Sequence, residues 1–268
     1  MSPATSPSAS PVTSLVDRVL PARLGAGFRW LLASSLTTNL GDGIALAAGP
    51  LLVASQTRSP LLVSMAVLCQ QLPWLLFGLY AGAIADRVDR RRLMMAANLL
   101  RALVVTGLCL TIVTGWVDIT LVLVAVFLVG TAEVFVDTAA GTLLPMMVPK
   151  ADLGIANARM LAGVITLNQL AGAPIGAALF AVGAAAPFGV QALCILAGVV
   201  LVSRIRVAGP PRVEGAGPTA RSHVRRDIAE GLRWLWGHAA VRTLTLVILA
   251  FNFTWGAAWS VLVLYSLD

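Results

Sequence analysis

Four ionisable side chains, Asp42, Arg101, Glu133 and Asp137, lie inside long apolar runs of this sequence. Placing a charged group at the centre of a bilayer costs roughly 2.5–3.5 kcal/mol on insertion scales, so such residues face a cavity or a partner. A carboxyl in a low-dielectric cavity is disfavoured as an anion. It can therefore take a proton on one side of a membrane and release it on the other, or hold an organic cation. The membrane potential drives proton entry by roughly 2.3 kcal/mol per charge per 100 mV. Asp42 lies about halfway along its run. Glu133 and Asp137 stand one helical turn apart, on one face. Asp42 and Glu133 are the better candidates for coupling; a hydrogen-bonded structural carboxyl is the alternative for each. For Arg101, helix anchoring or snorkelling outweighs substrate binding. Asn39, Gln70, Gln71, Asn168 and Gln169 could add polar contacts.

The elements that carry these residues follow from composition. Of 268 residues, 58% are hydrophobic and only 12% are charged, about half the charge of a soluble domain. Apolar runs near 20 residues long read as membrane-spanning helices. Seven are expected, over residues 30–54, 61–85, 93–113, 119–143, 153–182, 188–202 and 244–265. The fold class is thus all-α and polytopic. No short apolar segment with a cleavage site precedes the first run, so no signal peptide is expected.

The net charge of +7 comes from loops rather than from a nucleic-acid-binding surface. Arg18, Arg23 and Arg29 precede the first run, Arg87, Arg90, Arg91 and Arg92 follow the second, and Lys150 and Arg159 follow the fourth. Arg204, Arg206, Arg212, Arg221, Arg225, Arg226, Arg233 and Arg242 lie between the sixth and seventh; Arg58 stands alone opposite. That asymmetry places the N-terminus in the cytoplasm of a cell membrane protein. Cys69, Cys109 and Cys194 lie in separate apolar runs without CxxC spacing and read as small core residues. His223 and His238 both fall in the cytoplasmic segment, and there is no G-x-S-x-G and no P-loop. No hydrolase or metal constellation can be assembled at membrane depth, so neither an enzyme, a metal site nor a cofactor is expected.

Four regions are expected: a disordered cytoplasmic tail (1–27), a six-helix bundle (28–202), a cytoplasmic linker with an amphipathic helix (203–240), and a final span (241–268). The linker is marked by Gly209, Pro210, Pro211, Gly215, Gly217 and Pro218. Past it, Ile228, Leu232, Leu235 and Trp236 share one helical face, as in an interfacial helix, with Arg225, Arg226 and Arg233 suited to lipid headgroups. The other reading makes this stretch an extension of the last span. A faint internal repeat links Asp42 and Pro50 with Asp137 and Pro145, at equal spacing in runs of opposite direction. A 3+3 inverted repeat has that form.

Between the second and third runs the chain reads GAIADRVDRRRLM. Gly82, Asp86, Arg87, Arg90 and Arg91 match the pattern G-x-L-a-D-r-x-G-r-k, with Asp89 in place of the second Gly. This resembles the signature loop of the major facilitator superfamily. LLPMMVPKADLGIANA and DIAEGLRWLWGHAAVR resemble stretches of its drug and siderophore exporter branch. AGAPIGAAL is similar to the antiporter signature G-P-x-x-G-G, but keeps only Pro174, a candidate helix kink. The resemblance implies a secondary transporter whose partners are protons, the lipid bilayer and a small amphipathic substrate moved outward by alternating access. It implies that Asp42, Glu133 and Asp137 border the central cavity, and that Arg90 clamps Asp137. Gly82 is expected to let the helix end pack closely, and Asp86 to cap the next turn or meet a helix N-terminus. The family's twelve spans further imply a second bundle, so the chain reads as C-terminally truncated. The alternative is a non-transporting remnant or assembly partner.

Overall fold

The computed structural model describes residues 24–205 and 224–265. Of the expected disordered tail (1–27), residues 1–23 lie outside the described residues and 25–27 are helical; of the expected linker (203–240), residues 206–223 lie outside them. The chain divides into two compact units, Met1–Arg212 and Val213–Asp268.

Every regular element among the described residues is helical. In the first unit α1 spans Gly25–Gln56, α2 Pro60–Ala85, α3 Arg90–Thr114 and α4 Ile119–Met147. The fifth apolar run is α5 (Leu153–Gly163), a π-helical stretch (Val164–Gly172) and α6 (Ala173–Val182), followed by α7 (Ala186–Ser203). Local chemistry sets several of these boundaries. Gly115, at φ +76°, closes α3 in the left-handed conformation that glycine adopts without strain. Asp118 Oδ1 then accepts from the backbone N–H of Leu121 at 2.8 Å, capping α4. Pro187 lies in the first turn of α7, where its missing N–H removes no helical bond. The sixth run therefore starts earlier than its apolar stretch. α1 to α4, the Lys150–Val182 segment and α7 are each long and apolar enough to cross a membrane.

In the second unit, α8 (Val224–Gly237) and α9 (Ala239–Tyr265) follow one another. Ala229–Gly237 and Ala239–Asn252 meet at 101°, and count as a seventh span if the bent pair is taken as one. α8 is thus no straight extension of α9.

Helix neighbours in the bundle form a series: α2 against α4, α4 against α3, α3 against α7, α7 against α1, and α1 against the α5–π–α6 segment. Exchanging α1 with α4, α2 with that segment, and α3 with α7 returns the same series. An inverted 3+3 repeat produces this symmetry. The outer surface is apolar, with Leu75, Leu103 and Val182 at least 70% exposed, as suits a surface bathed in lipid.

Hydrocarbon does not drive apolar helices together, so close packing at small residues has to. The tightest crossing joins α1 to the fifth span. A Cβ on Gly43 would strike the backbone of Asn168, one on Gly172 would strike Gly43, and one on Gly176 would strike the backbone of Ile44. Gly172 and Gly176 are four residues apart, one helical face. The buried residues form two clusters. One surrounds Phe28, Leu31, Met94, Val136, Leu143 and Val202, at the end bearing the α2–α3 loop. The other surrounds Leu52, Val105, Val122, Phe188 and Ile195.

Gly43→Val should therefore lower the thermal midpoint in detergent by several degrees, since overpacking costs about 1–3 kcal/mol or more against backbone. Gly82→Ala, where a Cβ meets no described atom within 4 Å, should leave the midpoint unchanged or slightly raised. Circular dichroism melts of the two variants check this.

Candidate functional site

Asp42 is flanked by Gly41 and Gly43, and both neighbours are needed. A Cβ on Gly41 would come within 2.9 Å of Cys194 Cβ on α7, and Gly43 presses on the π stretch. α1 can thus approach both partners and set Asp42 between them. There Asp42 Oδ1 accepts from Arg101 Nη2 at 2.5 Å and from Gln191 Nε2 of α7 at 3.4 Å. Arg101 Nη1 donates to Asn98 Oδ1, one turn earlier on α3, at 3.3 Å. The Arg101 side chain is 2% exposed and that of Asp42 is 16% exposed. Arg101 Nε and Asn98 Nδ2 are buried without a hydrogen-bond partner among the described residues.

This placement overturns only the snorkelling half of the expectation for Arg101, since the side chain ties α3 to α1. A snorkelling arginine extends along its helix to water, whereas Arg101 is turned inward and paired. Glu133 and Asp137 of α4 both lie within electrostatic reach of it. Asp42 is thus the bonded partner of the guanidinium, and the two acids of α4 act on it through the field alone.

The expected Arg90–Asp137 clamp is absent. Arg90 Nη2 meets Asp86 Oδ1 at 3.3 Å and Nη1 contacts Met146 Sδ at 3.1 Å. Between residues 137 and 146 an α-helix rises about 13 Å, which puts Asp137 too deep for Arg90. Other features of the loop also differ from expectation. A Cβ added at Gly82 would meet no described atom within 4 Å, so no close approach there requires glycine. The cap of α3 is Asp89 rather than Asp86: its Oδ1 accepts from the Arg92 N–H at 3.0 Å. Asp89 has φ −62° and ψ 110°, a backbone open to any L-residue, so no glycine is required there. Arg91 reaches across the bundle, its Nε donating to Val202 O at 3.2 Å and its Nη2 to Ser203 O at 2.5 Å. It thereby satisfies the last carbonyls of α7 and places a cation at that helix's negative end. Arg87 also lies in this loop and has an interaction partner.

A cavity of about 410 Å³ opens beside the charged cluster. Its polar lining comprises Asp42, Gln70, Arg101, Glu133, Asn168 and Gln191; its walls include Leu46, Val53, Val67, Val105, Leu108 and Phe188. Apart from Asn168 on the π stretch of the fifth span, these residues come from α1, α2, α3, α4 and α7, at mid-length or in the halves remote from the signature loop. Asp42 and Glu133 are thus brought to one cavity. Asp137 is exposed on the bundle surface and is not part of the lining. Pro174 opens α6, directly after the π stretch that carries Asn168. No group of three or more His, Cys, Asp or Glu side chains could hold a metal among the described residues.

The family described as Transmembrane secretion effector matches residues 21–267 of this chain. The chain belongs to the major facilitator superfamily. This major facilitator chain is 32% identical over 225 residues to the Multidrug efflux pump Tap of Mycolicibacterium fortuitum, a match covering 81% of the chain and 54% of the relative. It is 30% identical over 226 residues to Tap of Mycobacterium tuberculosis, covering 81% and 52%. Macrolide efflux protein A of Streptococcus pyogenes is 31% identical over 103 residues, covering 38% of the chain and 25% of that protein. The chain spans about half the length of the Tap relatives it matches. No solved structure matches it.

Of the polar residues singled out from sequence, Gln70 and Asn168 line the cavity. Asn39 instead donates to Ser35 O, one turn back on α1, at 2.8 Å. Gln191 and Asn98 were missed. Gln191 is the one amide in the apolar run 188–202, and that isolation was the available signal. Asn98 stands one turn from Arg101, a neighbour whose relevance appears once Arg101 points inward.

Asp42→Asn should strand Arg101 as a buried, uncompensated cation, at a cost of about 3–5 kcal/mol. Asp42→Asn combined with Arg101→Leu should recover much of that loss. Thermal unfolding of the two variants in detergent, each against the parent, measures the difference.

Proposed function

We propose that this chain forms one bundle of a secondary transporter that exports small amphipathic molecules in exchange for protons. The observation carrying this reading is the apolar cavity whose floor holds Asp42 and Glu133 beside one buried guanidinium. Apolar walls suit the hydrocarbon part of an amphipathic substrate, and the carboxyls suit protons or a cationic group. The relatives named as multidrug and macrolide efflux proteins support the outward direction and the substrate class.

In this reading Glu133 and Asp42 line the coupling site, and Asp137 faces the second bundle that completes the transporter. Alternating access is the rocking of the two bundles about that site. The division into a bundle over 28–202, a linker over 203–240 and the first span of a second bundle over 241–268 belongs to the same proposal. So does the orientation. The arginines of the signature loop lie in the cytoplasm, and the cavity, on the opposite half of the bundle, faces the exterior. Arg91 holds α3 to the end of α7, so the loop and the start of the linker move as one body.

Two measurements test this. In inverted membrane vesicles containing the protein, Glu133→Gln should reduce pH-driven ethidium transport at least tenfold while leaving downhill ethidium equilibration intact. Unchanged pH-driven transport would remove Glu133 from coupling. For orientation, Val88→Cys should react with a membrane-impermeant maleimide only in inverted vesicles; labelling of intact cells would reverse the topology.

A further inference from the structure

The cavity contains one cation, and that cation is already committed. Arg101 is held by Asp42 at the end of its guanidinium fork, while its Nε remains without a partner. Glu133 opens on the same cavity and makes no hydrogen bond among the described residues. The charged groups facing Arg101 are Asp42 from α1 and Glu133 and Asp137 from α4. α3 contributes the neutral Asn98, and Gln191 of α7 bonds to Asp42. A long, flexible cation therefore shares one cavity with an acid of α1, Asp42, and an acid of α4, Glu133, on the pair of helices that the inverted repeat exchanges.

Resting on the cavity as the ligand site, we propose that Arg101 is a movable counter-ion: it occupies Asp42 until a ligand cation takes that carboxylate and displaces the guanidinium toward Glu133. The ligand brings the second positive charge, and Glu133 takes up Arg101 as a carboxylate, any proton it carries leaving through the cavity. One ion pair, Asp42 with Arg101, becomes two, Asp42 with the ligand and Glu133 with Arg101. Two features permit the shift. Arg101 is held at the fork and not at Nε, and of the two residues, which both line the cavity, Asp42 at 16% exposed is more accessible than Arg101 at 2%. Arg101 is thus a positioning residue. It sets how strongly a cation must compete to enter, and it transfers occupancy at α1 into an ion pair on α4.

The test is ethidium binding to the purified 268-residue chain in detergent micelles, followed by fluorescence anisotropy. Arg101→Gln removes the competitor and should tighten ethidium binding about tenfold. Asp42→Asn added to Arg101→Gln should abolish the gain. Free guanidinium should compete with ethidium in Arg101→Gln, where the vacated position can receive it, and not in the parent. Arg101→Lys keeps the charge but lacks the fork, and should give an intermediate gain. If Arg101→Gln fails to fold by circular dichroism, Arg101→Lys carries the test, and parental affinity there overturns the proposal. A merely structural Arg101 would weaken binding in both variants, and guanidinium would not compete. Unchanged affinity in Arg101→Gln, or a gain that survives Asp42→Asn, also overturns it and leaves the cavity standing. If the parent and every variant fail to bind ethidium, the cavity reading falls and takes the counter-ion with it.

Discussion

A guanidinium buried at mid-depth among apolar helices needs a carboxylate beside it, and meeting that need organises much of this bundle. Desolvating a charge costs several kcal/mol, and the loss is offset only where a partner lies at hydrogen-bond distance. Arg101 is delivered by α3 and Asp42 by α1, helices that each adjoin α7. For Asp42 to reach Arg101, α1 must settle deeply between α7 and the fifth span. Gly41 and Gly43, on either side of Asp42, permit that approach. The glycine crossing and the ion pair are therefore two consequences of one constraint. Gln191 of α7 adds a second contact on the same carboxylate.

That constraint also divides the bundle into unlike halves. Toward the signature loop, side chains such as Phe28, Met94 and Leu143 fill the interior. Away from it, the same helices leave the cavity. The polar cluster lies where the two halves meet. The loop end is held by backbone-directed contacts: Asp89 caps α3, and Arg91 satisfies the last carbonyls of α7. Groups of this kind are where a lipid-bound helix end would otherwise leave unpaired carbonyls and N–H groups. The basic loop thus has a structural use beyond setting topology, and Arg90 and Arg91 each have a partner of their own rather than adding to a generic charged patch.

The fifth span shows how packing can override a plain apolar pattern. Its sequence reads as one long helix, yet it contains nine residues of π-helix between two α-helical pieces. Stretches of this type recur at functional sites, and here Asn168 within it lines the cavity while its backbone presses on Gly43. Pro174 follows at once, in the first turn of α6.

Local chemistry made much of the architecture legible. Apolar length located the spans to within a few residues, because bilayer thickness sets helix length. Asp118 and Pro187 set helix starts through bonds made or forgone within one turn. Asp42 and Glu133 could be singled out because an acid in a hydrocarbon run is costly wherever it points. Which way Arg101 points, whom Arg90 meets and whether Gly82 packs are long-range facts. They depend on which helices adjoin, and on depths that separate Asp137 from Arg90 by about two and a half turns. Sequence by itself determined that this chain is a helical membrane bundle with acids at hydrocarbon depth. Only the tertiary structure decided that Arg101 turns inward to Asp42 and shares a cavity with Glu133, since a side chain's partner is fixed by the neighbours that packing brings to it.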